Sequence, residues 1–134
     1  MLSLFYMSQK SVLIIEDEED AADMFAEMMR VSGYRVLKTS SSTPALTLMA
    51  TEKPDVVILD IMMPEISGLD ILRQMRQDPG LAKIPVVVVS AKSLPADIKI
   101  GMEAGASTYL TKPVGFTEVK DAIERALGNQ ATQL

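Results

Sequence analysis

The chain has 134 residues and a mass of 14.6 kDa, with 13 basic and 18 acidic side chains, a net charge of −5, and neither cysteine nor histidine. That size suits one domain that buries its own core. The missing residue types exclude disulfides, thiolate or imidazole metal sites, and catalysis by Cys or His. The acidic balance disfavours direct binding of nucleic acid, and a hydrophobic content of 48% excludes a disordered chain.

Residues 1–9 read as an N-terminal tail, 10–128 as one domain and 129–134 as a polar C-terminal tail. The opening MLSLFYM is too short to span a membrane and lacks the basic start and small-residue cleavage site of a signal peptide. A cytoplasmic protein with no membrane contact is therefore expected. Val12-Leu-Ile-Ile15 is the first apolar run. Residues 18–32 follow as a helix, with Ala21, Met24, Phe25, Met28 and Val31 forming an inward stripe and Gly33 just past its end. Tyr34-Arg-Val-Leu37 alternates like an edge strand. Thr43-Pro44 reads as an N-cap with proline at the first helical position, and Pro54 closes that helix from beyond.

Val56-Val-Ile-Leu59 is the next strand. Ser67 caps a helix carrying Leu69, Leu72 and Met75, ending before Asp78-Pro79-Gly80. Val86-Val-Val-Val89 is a fourth strand. Pro95 opens a helix with Ile98 and Met102 inward and Gly105 at its end. Tyr109-Leu110 is the fifth strand, and the last helix carries Val119, Ile123, Ala126 and Leu127 up to Gly128. Three of the strands are continuous apolar runs, as strands covered by helices on both faces are. Strand and helix alternate five times, which predicts an α/β domain with a parallel sheet.

Polar residues stand at the strand ends. Glu16-Asp17 follow the first strand, Asp60 the third, Ser90 the fourth, and Lys112 lies just past the fifth. In a parallel sheet these ends share one edge, where ligands of open α/β sheets bind. Three carboxylates against one ammonium leave an excess of negative charge that a divalent cation would cancel. Oxygen ligands suit Mg²⁺. A carboxylate beside Mg²⁺, a lysine and a hydroxyl is equipped to take a phosphoryl group as an acyl phosphate.

Four blocks carry a family resemblance: Val12-Leu-Ile-Ile-Glu-Asp-Glu-Glu-Asp20, Pro54-Asp-Val-Val-Ile-Leu-Asp-Ile-Met-Met-Pro64 with Gly68, Val86-Val-Val-Val-Ser-Ala91, and Gly105-Ala-Ser-Thr-Tyr-Leu-Thr-Lys-Pro113. In this order and at these separations the chain resembles single-domain response-regulator receivers of the CheY-like type over residues 10–128. The resemblance implies a doubly wound (βα)5 fold, flavodoxin-like, with a five-stranded parallel sheet of order 2-1-3-4-5. It implies phosphorylation at Asp60 by a histidine kinase or phosphotransfer protein. Mg²⁺ would be held by Glu16, Asp17, Asp60 and the Met62 carbonyl, with Asp17 the more direct ligand. Ser90, Tyr109 and Lys112 would contact or report the phosphate, and Lys112-Pro113 would be cis. Output would pass through the face of the fourth helix, fifth strand and fifth helix to a protein partner, from a monomer or a weak phosphorylation-linked dimer. Such a chain is a switch, not an enzyme.

The chain departs from the family pattern at Glu16, where Asp is commoner, at Ser107-Thr108, where many DNA-binding regulators carry two acids, and at Val114, where Phe is common, which disfavours the salt-bridged dimer of that subfamily. Alternatives are a phosphate-independent pseudo-receiver scaffold, or a receiver piece of a longer regulator or hybrid kinase. A haloacid-dehalogenase-type phosphohydrolase would need a second acid where Met62 stands. A flavin carrier would need a hydroxyl- and glycine-rich loop where Glu16 to Asp20 stand.

Overall fold

The computed structural model describes residues 9–128; apart from Gln9, the expected terminal tails lie outside the described residues. Five strands, β1 (Ser11–Ile15), β2 (Arg35–Thr39), β3 (Val56–Leu59), β4 (Val86–Ser90) and β5 (Thr108–Thr111), alternate with five helices. The helices are α1 (Glu19–Val31), α2 (Ala45–Glu52), α3 (Gly68–Gln77), α4 (Pro95–Ala104) and α5 (Phe116–Ala126). All strand pairs are parallel and the sheet order is β2-β1-β3-β4-β5, as expected.

The period-2 alternation of the strands splits the core in two. Leu13, Ile15, Val57, Leu59, Val86 and Val88 face one way, onto Ala45 and Met49 of α2, Ile71, Leu72 and Met75 of α3, and Ala104 of α4. Val12, Ile14, Val56, Ile58, Val87 and Val89 face the other, onto Ala22, Phe25, Ala26 and Met29 of α1 and Val119, Ala122 and Ile123 of α5. Continuous apolar runs are what such a sandwiched sheet requires, because both faces of β1, β3 and β4 are buried. The edge strand β2 is half-exposed throughout.

Helix boundaries follow local chemistry. The Ser67 hydroxyl accepts from the Asp70 N–H at 3.4 Å and caps α3. Pro95 opens α4, and Asp97 Oδ2 accepts from the Leu94 N–H at 3.3 Å. Gly33, Gly105 and Gly128 take positive φ just past the ends of α1, α4 and α5.

Two helices are rotated from their expected faces. In α1 the buried residues are Ala22, Phe25, Ala26 and Met29; Met24 and Val31 are 43% and 69% exposed, and Ala21 and Met28 are half-buried. The expected stripe lies one residue early. Small Ala22 and Ala26 bring the helix close to the sheet, and the bulky Met24 and Val31 are left outside. In α4 the buried residues are Gly101 and Ala104, while Ile98 is half-buried and Met102 is 44% exposed. Small residues again make the contact. Helix α2 starts one residue late: Pro44 holds the cap position and no side chain accepts a capping hydrogen bond.

Candidate functional site

The sheet itself places the polar residues. Glu16, Asp60 and Lys112 each lie one position past a strand, yet the ladder continues through their backbone. The Glu16 N–H donates to the Thr39 carbonyl at 3.1 Å, the Asp60 N–H to Ile15 at 3.0 Å, and the Lys112 N–H to Ser90 at 2.8 Å. Their side chains therefore start from rigid backbone and not from free loops. Lys112–Pro113 is cis, as expected. On the other side, the Gly68 N–H donates to the Ile61 carbonyl at 3.2 Å. A Cβ on Gly68 would lie 2.5 Å from both the Asp60 carbonyl oxygen and the Ile61 Cα, so only glycine lets α3 start against this turn.

Glu16, Asp60 and Lys112 converge as the sequence predicts. Lys112 Nζ donates to Glu16 Oε1 at 2.9 Å and to Asp60 Oδ2 at 3.4 Å. The remaining oxygens take backbone donors: Glu16 Oε2 from the Glu18 N–H at 3.2 Å, and Asp60 Oδ1 from the Met62 N–H at 2.9 Å. Glu16 is 1% exposed and Asp60 6%, whereas Asp17 faces solvent. Burial pushes the Glu16 carboxyl up to about 7; Lys112 and the Glu18 N–H oppose the rise and the Asp60 charge adds to it. Burial draws the Lys112 ammonium down, but Glu16 and Asp60 together outweigh it and hold the group above the ordinary lysine value. Lysine thus stays charged while its buried partner holds charge only at a cost.

One carboxylate oxygen from each of Glu16, Asp17 and Asp60 lies within 4.8 Å of the others. The set is all oxygen, anionic and open to solvent through Asp17 and an adjoining groove lined by Thr39 and Ser40. Those are the donors a hard divalent cation takes. Met62 presents its N–H to Asp60 and leaves its side chain 48% exposed.

Ser90, fully buried at the end of β4, accepts from the Lys92 N–H through Oγ at 3.1 Å. Tyr109 of β5 donates its hydroxyl proton to the Lys92 carbonyl at 2.7 Å. Burial pushes the Tyr109 phenol up, the Ser90 hydroxyl opposes this, and the charges of Asp97 and Asp60 add to it. Ser90, Lys92 and Tyr109 therefore form one hydrogen-bonded unit beside Asp60.

Several contributors carry no polar signature in the sequence. Ser42, 2% exposed, accepts from the Ile66 N–H at 3.2 Å and joins the β2–α2 loop to the β3–α3 loop. A buried hydroxyl that serves only backbone looks like any loop serine until the two loops meet. The Lys92 carbonyl is in the same position: its role comes from where Tyr109 lands.

No described helix is long and apolar enough to cross a membrane. Comparison with known proteins gives the family. The chain is 33% identical over 120 residues to the polar-differentiation response regulator DivK of Brucella ovis, covering 90% of this chain and 98% of that one. The signal receiver domain of a histidine kinase from Syntrophus aciditrophicus superposes with a TM-score of 0.82 at 28% identity, covering 90% and 91% of the two chains. The receiver domain of the Pseudomonas aeruginosa sensor kinase PA1611, a structure with magnesium coordinated in its active-site cleft, matches in fold with a TM-score of 0.83 at 24% identity, covering 90% and 99%. The family model of the response regulator receiver domain spans residues 12–124, so the strand-end carboxylates, hydroxyl and lysine described above sit in a chain that belongs to the response-regulator receiver family of two-component signalling.

Proposed function

We propose that this chain receives a phosphoryl group on Asp60 from the phosphohistidine of a histidine kinase or phosphotransfer protein, in the cytoplasm, and relays the event by changing a protein-binding face. The observation that carries this reading is the buried Asp60 carboxylate within reach of Lys112 and grouped with Glu16 and Asp17. In the transfer an Asp60 oxygen bonds to phosphorus as the phosphorus–nitrogen bond of the donor breaks, and the freed imidazole takes a proton. Glu16, Asp17, Asp60 and the Met62 carbonyl would hold Mg²⁺, which would set positive charge against the phosphoryl oxygens. Lys112 does the same with its ammonium, and moving from Asp60 Oδ2 to a phosphoryl oxygen keeps its charge paired. The Ser90 hydroxyl donates to another phosphoryl oxygen.

The chain acts as an acceptor and switch and not as an enzyme with turnover. Ser90 and Tyr109 are joined through Lys92, so drawing Ser90 toward a phosphoryl group acts directly on the loop that Tyr109 holds. That supports an output face built from α4, β5 and α5. Leu94, Ile100 and Met102 along α4 are 66%, 43% and 44% exposed, an apolar content that suits a protein partner.

The test is intact-protein mass spectrometry after incubation with acetyl phosphate and Mg²⁺. One phosphoryl adduct is expected, lost in Asp60→Asn and lost with EDTA. An adduct that survives Asp60→Asn, or labelling unaffected by EDTA, would refute the reading.

A further inference from the structure

Gly101 lies buried in the interior of α4, where glycine is the poorest helix former after proline. Its backbone is helical, so no unusual φ requires it. What requires it is Tyr109. A Cβ built on Gly101 would lie 2.7 Å from Tyr109 Cδ2 and 2.8 Å from Cε2, closer than real Cβ contacts allow. The ring fills the space where a side chain would be. It is held there at both ends: the backbone of Tyr109 pairs with Val88 in the sheet, and its hydroxyl reaches the Lys92 carbonyl at 2.7 Å. Gly101 and Ala104 are the only buried residues of α4, so its packing on the sheet goes through them.

We propose that Gly101 is a positioning residue for Tyr109: its missing side chain forms the seat for the ring, and the seating of α4 on the sheet depends on the ring being in it. The inference rests on the reading of Tyr109 as part of the switch and gives that switch its mechanical contact. The connection runs from Asp60 past Ser90, through the Lys92 peptide to the Tyr109 hydroxyl, and across the ring face to Gly101. If the ring leaves, α4 loses the surface it rests on.

The decisive experiment is a two-by-two comparison of Gly101→Ala in the wild-type and Tyr109→Ala backgrounds. In the wild type the added methyl meets the ring, so the melting midpoint should fall. With Tyr109→Ala the methyl has room and alanine favours the helix, so the same substitution should raise the midpoint. A role confined to helix propensity would raise it in both backgrounds. If Gly101→Ala alone does not fold, recovery of a folded protein in the double variant is the expected result, and failure to recover overturns the proposal. A second readout is NMR of protein carrying ring-labelled tyrosine. Wild type should show a nuclear Overhauser contact between the Tyr109 ring and the Gly101 α-protons; Gly101→Ala should move the ring resonance and weaken contacts to α4. A shift of the same sign in both backgrounds, or an unmoved ring, would overturn the proposal. Neither readout uses phosphate. A wild-type chain that takes no acetyl-phosphate label therefore defeats the phosphoacceptor reading without touching the Gly101 result.

Discussion

Consider Glu16→Gln in the absence of divalent cations. Burial raises the Glu16 carboxyl from 4.5 to about 7 in the folded chain. Below pH 4.5 the residue is protonated whether the chain is folded or not, and it adds no pH dependence. Between 4.5 and about 7 the unfolded chain releases a proton that the folded chain keeps. The folded state then binds more protons, so stability falls as pH rises through this window. At about 1.4 kcal/mol for each tenfold change in proton affinity, the loss is about 3 kcal/mol by pH 8.

Glutamine keeps an oxygen for Lys112 Nζ but has none left for the Glu18 N–H, a cost of about 1 kcal/mol at any pH. The variant should therefore be about 1 kcal/mol less stable than wild type near pH 4, about level with it near pH 5, and about 2 kcal/mol more stable at pH 8. At this chain length 2 kcal/mol corresponds to a rise of roughly 6–8 °C in Tm. Urea titrations in EDTA from pH 4 to 8 measure the effect. Parallel pH profiles, or a variant less stable than wild type at pH 8, would show that Glu16 is not the group under strain.

Three further outcomes follow from the same geometry. In calorimetric titrations with Mg²⁺, Asp17→Asn should lose more affinity than Glu16→Gln, because on the proposed reading the exposed Asp17 would meet the ion directly while the longer Glu16 is already tied to Lys112 and the Glu18 N–H; equal losses would refute the ranking. Gly68→Ala should cost about 1–3 kcal/mol by urea midpoint and slow acetyl-phosphate labelling, since its Cβ meets only backbone of the Asp60 turn; an unchanged midpoint would show that the turn yields freely. On the resemblance to receivers, the exposed Met62 side chain would border the approach to an Asp60 phosphoryl group without orienting water, and the Lys92 cation would lie over it, so the group should last minutes or longer. Combining Met62→Asn with Lys92→Glu should speed its decay several-fold, followed by mass spectrometry, and a wild-type half-life of seconds would refute this.

The physics that makes the fold legible is the sandwiched sheet. Val12 to Ile15, Val56 to Leu59 and Val86 to Val89 are apolar on both faces because helices cover both, and such runs have few other uses. Strand order has no comparable signature in composition or spacing; it came from resemblance. Helix faces were harder to read where small residues make the contact. Ala22, Ala26, Gly101 and Ala104 bury little area each but set how near a helix can come, so a reading weighted toward Met24, Val31 and Met102 turned α1 and α4 the wrong way. The site was readable because its residues interrupt apolar strands at one edge. Ser42, Gly101 and the Lys92 carbonyl were not, because each acts on backbone or ring atoms that only the folded chain brings near.

The ends of α4 are held very differently. Arg76 of α3 donates from Nε and Nη2 to the Gly105 carbonyl at 3.0 and 2.8 Å, and from Nη1 to the carbonyls of Ala82 and Ile84 at 3.0 and 2.8 Å. Burial lowers the Arg76 pKa from its ordinary value, yet a guanidinium remains charged at any working pH. Hydrogen bonds from a charged donor contribute about 1.5–3 kcal/mol each, so the C-terminal end of α4 is anchored to α3 and to the loop before β4. From Leu94 to Ile100 no residue is buried, and Leu94 and Ile100 are among the exposed apolar side chains. The N-terminal half thus has no comparable anchor, and it starts three residues after the Lys92 whose carbonyl Tyr109 grips. With one end fixed and the seat at Gly101 one turn away from it, a displaced ring moves α4 by tilting it about Gly105 more readily than by shifting it whole. The largest displacement then falls at Leu94 and Pro95, on the face nearest the Ser90 loop, and declines toward Ala104.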